Sequence, residues 1–150
     1  MSFNVVIDSE DAYNTTSIYD KEYGIDWGFI PQGKYELTFS FKSSPIPDEV
    51  ADVETIALIG LGTQLKTYTA GSGTNTQNSG IIGHLDRSVV MDTTARQVFT
   101  QGNYNPPVSL DTRPSNNIFR VRIQTGNNEV ATTGLTSANY ILILRFNKVE

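Results

Sequence analysis

One histidine and no cysteine set the first limit on the chemistry this chain can perform. In His84-Leu85-Asp86 a carboxylate follows the imidazole two residues on, and on a strand both side chains share a face. A base oriented by an acid is half of the apparatus that activates a nucleophile. The other half is missing: no Gly-x-Ser-x-Gly elbow occurs, so His84 reads as a surface or interface residue at a strand end. A single imidazole without thiolates also rules out ordinary zinc sites. Carboxylates bind calcium, and two acidic clusters exist, Asp8, Glu10 and Asp11, then Asp48, Glu49, Asp52 and Glu54. Neither has the Asp-x-Asp-x-Asp-Gly order of an EF-hand loop, and both read as solvated acidic loops. Gly60-Leu61-Gly62 and Gly71-Ser72-Gly73 do not continue into a phosphate-binding motif and open no helix. Two acids for glycoside hydrolysis need not be close in sequence, but no pair stands out. The residues therefore predict no catalytic group, no cofactor and no metal site, and the chain is not expected to be an enzyme.

Binding chemistry leaves more to consider. Trp27 and the seven tyrosines have the ring faces that stack on sugars. Trp27 lies in an alternating strand, where a buried core ring is expected; exposed aromatics near Tyr68 or Tyr104 would favour sugar recognition. Arg120 and Arg122 fall on the outward face of one strand, with Arg113 and Arg145 as candidate neighbours. Such a cluster suits a carboxylate-rich partner, although an ordinary solvated sheet face produces the same pattern.

The elements that must position these residues are strands. In Lys34–Lys42 (KYELTFSFK), Tyr35, Leu37, Phe39 and Phe41 alternate with polar residues, the period-2 pattern of a strand half buried against a core. Pro31-Gln32-Gly33 supplies a turn before it, and Tyr23–Ile30 reads as the preceding strand of a hairpin. Phe119, Val121 and Ile123 alternate with Arg120, Arg122 and Gln124. Tyr140, Leu142, Leu144 and Phe146 alternate with Ile141 and Ile143, so the last strand is expected to be covered on both faces, centrally or at a subunit contact. Weaker strands are expected over 3–8, 54–61, 65–69, 80–85, 88–91 and 96–100, and a single helical turn over 48–53. Residues 70–79 read as an exposed loop, 43–47 as the start of a crossover, and 102–117, with three prolines, as an ordered excursion. No window sustains a 3.6-residue period. About eight to ten short-spaced strands joined by Gly, Asn and Pro turns predict a sandwich or a barrel.

Length and composition agree with one folded domain over residues 1–150, with 38% hydrophobic and 18% charged residues. A net charge of −5 argues against a nucleic-acid partner. Apolar runs such as Ile141–Leu144 fall far short of the roughly 20 residues a membrane helix needs, so no membrane role is expected. Absence of cysteine excludes a disulfide framework and fits assembly in a reducing interior. The first ten residues lack the basic start and long apolar stretch of a signal peptide, which makes use of the Asn14-Thr15-Thr16 sequon for glycosylation unexpected.

The stretch Ile25–Phe41 (IDWGFIPQGKYELTFSF) resembles a segment of small jelly-roll proteins of large DNA viruses and virophages. There a Trp strand, a Pro/Gly turn and a Y-x-[LV]-[TS]-F-x-F strand come near the N-terminus. Asn139–Phe146 (NYILILRF) is similar to the closing strand of such a domain. The resemblance implies an all-β, single jelly-roll-like antiparallel β-sandwich. It further implies a structural virion protein, a minor capsid, penton or decoration component assembled in the host cell, that forms homo-oligomers and contacts other capsid proteins. It carries over no catalytic residues. The alternative from another class is a carbohydrate- or receptor-binding sandwich, lectin-like or tumour-necrosis-factor-like.

Overall fold

A computed structural model describes residues 1–12, 14–17, 19–44, 46–47, 53–70, 77–91, 95–124 and 139–149. Its strands are β1 (Ser2–Asp8), β2 (Asn14–Ser17), β3 (Asp20–Gly24), β4 (Tyr35–Ser43), β5 (Ile46–Pro47), β6 (Thr55–Ile59), β7 (Tyr68–Thr69), β8 (Gln77–Asn78), β9 (Ile81–Met91), β10 (Ala95–Gln101), β11 (Val108–Leu110), β12 (Ile118–Gln124) and β13 (Tyr140–Lys148). Among the described residues the only helical pieces are two 3-10 turns, Ser9–Asp11 and Trp27–Phe29.

The main sheet is antiparallel and runs β1-β13-β4-β10-β9-β6-β12-β3-β2, with β11 added to β4 and β5 to β10. It curls over on itself at β9. The first part of this long strand pairs with β6 (His84 opposite Thr55), whereas Leu85–Met91 pair with β10. A strand that changes partners along its length makes the corner of a two-layer fold. The result is an all-β, jelly-roll-like sandwich, as the strand spacing and the resemblance imply.

Alternation decides which faces meet. Tyr140, Leu142, Leu144 and Phe146 of β13 point inward with Tyr35, Leu37 and Phe41 of β4 from one layer; Phe119, Val121 and Ile123 of β12 do so from the other. Two contacts cross between the layers. The hydroxyls of Tyr23 on β3 and Tyr140 on β13 lie 2.9 Å apart in the core. Trp27 is only 2% exposed, with its ring centroid 5.4 Å from Phe146 and 5.8 Å from Phe119. Its Nε1 donates to the Asn116 carbonyl at 2.7 Å, which satisfies the indole's one polar group.

Several expectations need correction. Tyr23–Ile30 is not a strand, and it makes no hairpin with β4. The chain leaves β3 at Gly24, and the Asp26 side chain accepts from the Gly28 amide, capping the 3-10 turn that carries Trp27. A local side-chain bond to the backbone wins here over a ladder; β3 pairs instead with β12 and β2. Trp27 is buried as expected, but from a turn. The expected strands at 80–85 and 88–91 are one continuous β9, and of 65–69 only Tyr68–Thr69 is a strand, with Leu65 making an isolated bridge to Leu110. The excursion over 102–117 is ordered and contains β11, with Val108 and Leu110 buried. Ile46–Pro47 pair with β10. Most of the expected helical turn at 48–53 lies outside the described residues.

Gly62 shows why the turn after β6 is specified. It sits at φ +80°, and a Cβ there would come within 2.3 Å of the Ser115 Oγ and 2.8 Å of the Asn116 amide nitrogen. Ser115 and Asn116 donate their amides to the Leu61 carbonyl at 3.0 and 3.1 Å, locking this turn to the segment before β12.

Trp27→Ala removes the ring that bridges the layers and is expected to cost about 3–5 kcal/mol in denaturant unfolding, with Trp27→Phe costing less. An unchanged midpoint for the alanine variant would contradict the bridging role. The tyrosine pair predicts an alkaline limit. Burial pushes the Tyr23 hydroxyl up from 10.0 to about 12, against the opposing effect of its bond to Tyr140. Burial also raises Tyr140, reinforced by the neighbouring Tyr23. Above pH ~10 the unfolded chain releases protons that the folded one keeps, so stability present below that pH falls as pH rises. Melting temperatures of the wild type should drop through this range more steeply than those of a Tyr23→Phe, Tyr140→Phe double variant; equal slopes would exclude this origin.

Candidate functional site

His84 and Asp86 share one face of β9, as the spacing predicts, with Nε2 and Oδ1 4.0 Å apart and both side chains about half exposed. Among the described residues no three His, Cys, Asp or Glu side chains gather into a metal-binding group. No helix among them is long and apolar enough to cross a membrane. Of the first acidic cluster, Asp8 caps the 3-10 turn by accepting from the Glu10 amide at 3.0 Å, and Glu10 accepts from Asn139 Nδ2 at 2.9 Å. The second cluster, Glu54 apart, lies outside the described residues, as does Gly71-Ser72-Gly73.

The arginine cluster is turned toward its own sheet. Arg120 on β12 donates from Nη1 to Asp20 and from Nη2 to Glu22, each at 2.8 Å, and Arg122 Nε lies 3.5 Å from Asp20. Both carboxylates stand on the neighbouring strand β3, directly across the ladder. Arg113 Nη1 donates to the Ile30 carbonyl at 2.6 Å, away from that face. Arg145 sits on β13 in the other layer, so these four residues do not form one patch. A carboxylate-rich partner would have to displace carboxylates already in place.

What the fold does bring together lies at the β9 corner. A groove of about 440 Å³ is lined by Thr55, Lys66, Thr67, Tyr68, Ile81–His84 and Tyr104–Val108. Asn105 shapes it. Its Oδ1 accepts from the His84 amide at 2.9 Å, and its Nδ2 donates to the carbonyls of His84 at 3.1 Å and Gly102 at 3.2 Å. One carboxamide thus pins the proline-rich loop to β9. The loop approaches so closely that a Cβ at Gly83 would stand 2.4 Å from Asn105 Oδ1. On the rim Tyr68 is 55% and Tyr104 78% exposed, large values for aromatic rings. Lys66 is held by Asp111 at 3.0 Å; that hydrogen bond and the carboxylate's charge raise the ammonium pKa and keep it cationic and paired. The two tyrosines and His84 were visible as candidates in the sequence. Asn105 was not, because nothing in Asn-Tyr-Asn-Pro-Pro indicates which asparagine folds back onto a strand.

A second exposed surface is the outer face of β1-β13-β4. Within one chain the last strand does not lie between two layers: its inner face is buried, but on its outer face Ile141 is 47% exposed, and on β1 Val6, opposite Ile143, is 66% exposed. Cross-strand register places Asp8, Ile141 and Lys42 in one row, and Val6, Ile143 and Ser40 in the next. A hollow of about 300 Å³ lined by Asp8, Glu10, Lys42, Asn139 and Ile141 lies at the end of this face.

Asn105→Ala deletes three hydrogen bonds from the groove wall and is expected to destabilise the fold by about 1–3 kcal/mol. The amide of His84 should exchange faster with solvent in this variant; unchanged exchange there would mean that the loop is held by other contacts.

No protein-family model, curated protein or solved structure matches this chain.

Proposed function

We propose that this chain is a structural virion protein, a minor capsid, penton or decoration component, that works by self-association and by contact with a major capsid protein. The viral assignment rests on the resemblance of residues 25–41 and 139–146. The assembly role is supported chiefly by the outer face of β1-β13-β4, where Val6, Ile141 and Ile143 form an apolar strip in otherwise polar surroundings. Exposed apolar strips of this kind suit docking.

The charges beside the strip suit a second copy. In the row Asp8–Ile141–Lys42 an acid and a base flank the isoleucine on opposite sides of β13. When two such faces meet about a two-fold axis running along β13, the lateral order reverses while the height along the strand is kept. Each Asp8 then falls opposite the other copy's Lys42, and Ile141 meets Ile141. An isologous interface requires such self-complementarity. Ring or trimer assemblies would use the same strip against a different surface of the neighbour.

Light scattering after size exclusion should find a defined oligomer for the wild type. Asp8→Lys, which sets like charges against each other, should shift it toward monomer, and Asp8→Lys combined with Lys42→Asp should restore it. A strictly monomeric wild type that also fails to copurify with virus particles would overturn the reading.

A further inference from the structure

We infer that the groove at the β9 corner, between Tyr68 and Tyr104, is a binding site for a neutral saccharide chain. This goes beyond the assembly role and uses different residues.

The groove suits an uncharged, amphipathic ligand. Tyr68 and Tyr104 line it while remaining 55% and 78% exposed. An aromatic face carries partial negative charge, and the polarised C–H bonds on one side of a pyranose ring present partial positive charge to it. Ile81, Pro106 and Pro107 add apolar surface to the lining. Polar groups stand within the same lining: the hydroxyls of Thr55 and Thr67, and the half-exposed imidazole of His84. These donate to or accept from sugar hydroxyls without net charge. A volume of about 440 Å³ lies within the range of sites that bury small ligands.

Other ligand classes fit less well. An anion would need a free cation, but Lys66 is engaged by Asp111 at 3.0 Å, and the whole chain carries −5. An extended peptide adding to a sheet edge would need free main-chain groups. Here they are taken: the His84 amide and carbonyl by Asn105, the Thr67 amide by the Leu65 carbonyl, and the Thr67 carbonyl by the Ser79 amide. Recognition must therefore come from ring faces and side-chain hydroxyls. Gly83 lets Asn105 and Phe39 pack closely against β9, and the proline pair stiffens the wall, so the site is formed before the ligand arrives.

His84 is the chain's only histidine, so its imidazole gives a single, already assigned signal from the groove lining. The probes are linear hexasaccharides of glucose, mannose and N-acetylglucosamine, with a sialylated oligosaccharide as the charged comparison, each titrated to ~10 mM, ten times a Kd of ~1 mM. At least one should shift the His84 ring signals in a saturable way. Tyr104→Ala and Tyr68→Ala should each weaken that binding roughly tenfold or more, about 1.4 kcal/mol. Both rings are exposed, so the melting temperature of these variants should stay unchanged. Three outcomes overturn the site: no shift at His84 with any of the probes, binding that both alanine variants retain in full, or a response only to a sialylated oligosaccharide.

Discussion

Everything in this molecule depends on holding two β layers apart at the distance of one interdigitated side-chain layer, and Trp27 sets that spacing at one end. Its ring touches Phe146 from one layer and Phe119 from the other. The ring does not come from a strand of either sheet; it comes from the segment that follows β3. The 3-10 turn capped by Asp26 is that segment, and the Asn116 carbonyl fixes the indole's orientation from the loop before β12. The Tyr23–Tyr140 contact also joins β3 to β13, with the two buried hydroxyls 2.9 Å apart. The sheet that joins the two layers bends at β9, which pairs first with β6 and then with β10.

The bend explains why the groove lies where it does. At a corner neither sheet covers the surface, so loops must do it. Residues 102–107 come down on β9 through Asn105, and 66–68 close the other side. A close approach of loop to strand needs a residue without a side chain, which Gly83 provides. The groove thus follows from the way the sheet turns, not from a cluster of reactive groups. The charged residues tell the same story: Arg120, Arg122, Asp20 and Glu22 neutralise one another across β3 and β12, and Lys66 and Asp111 do so near the groove. Beside the groove Tyr68 and Tyr104 remain exposed, and on the face of β1-β13-β4 Val6 and Ile141 do.

Most strands were legible from the sequence because period-2 alternation reports a physical fact, a core on one side and water on the other. Tyr35–Phe41, Phe119–Ile123 and Tyr140–Phe146 all carry it and all lie where it places them. Tyr23–Ile30 misled because its apolar residues also alternate, while the deciding bond from Asp26 to Gly28 depends on local geometry. Ile141 and Ile143 were correctly singled out, but two apolar faces on one strand cannot say whether the second face meets a layer or water. His84 and Asp86 share a face because sequence separation alone decides that. The partners of Arg120 were not legible: they depend on β3 lying beside β12, a pairing between residues about a hundred positions apart. The same holds for Asn105, whose role exists only once the loop has been folded onto β9.

The two exposed surfaces are compatible because they share no residue. The flat strip belongs to β1, β13 and β4; the β13–β4 ladder is the longest in the sheet, and the inner faces of the three strands pack into the core. Such a platform has little freedom to deform, which suits a repeated contact that must have the same geometry in every copy. The groove is built from a corner and two loops, where sequence can vary without disturbing the layers. A chain that docks through its sheet therefore leaves Tyr68 and Tyr104 outside the contact. Repetition in an assembly would then array the grooves, and weak single-site recognition gains strength when many sites engage one surface together.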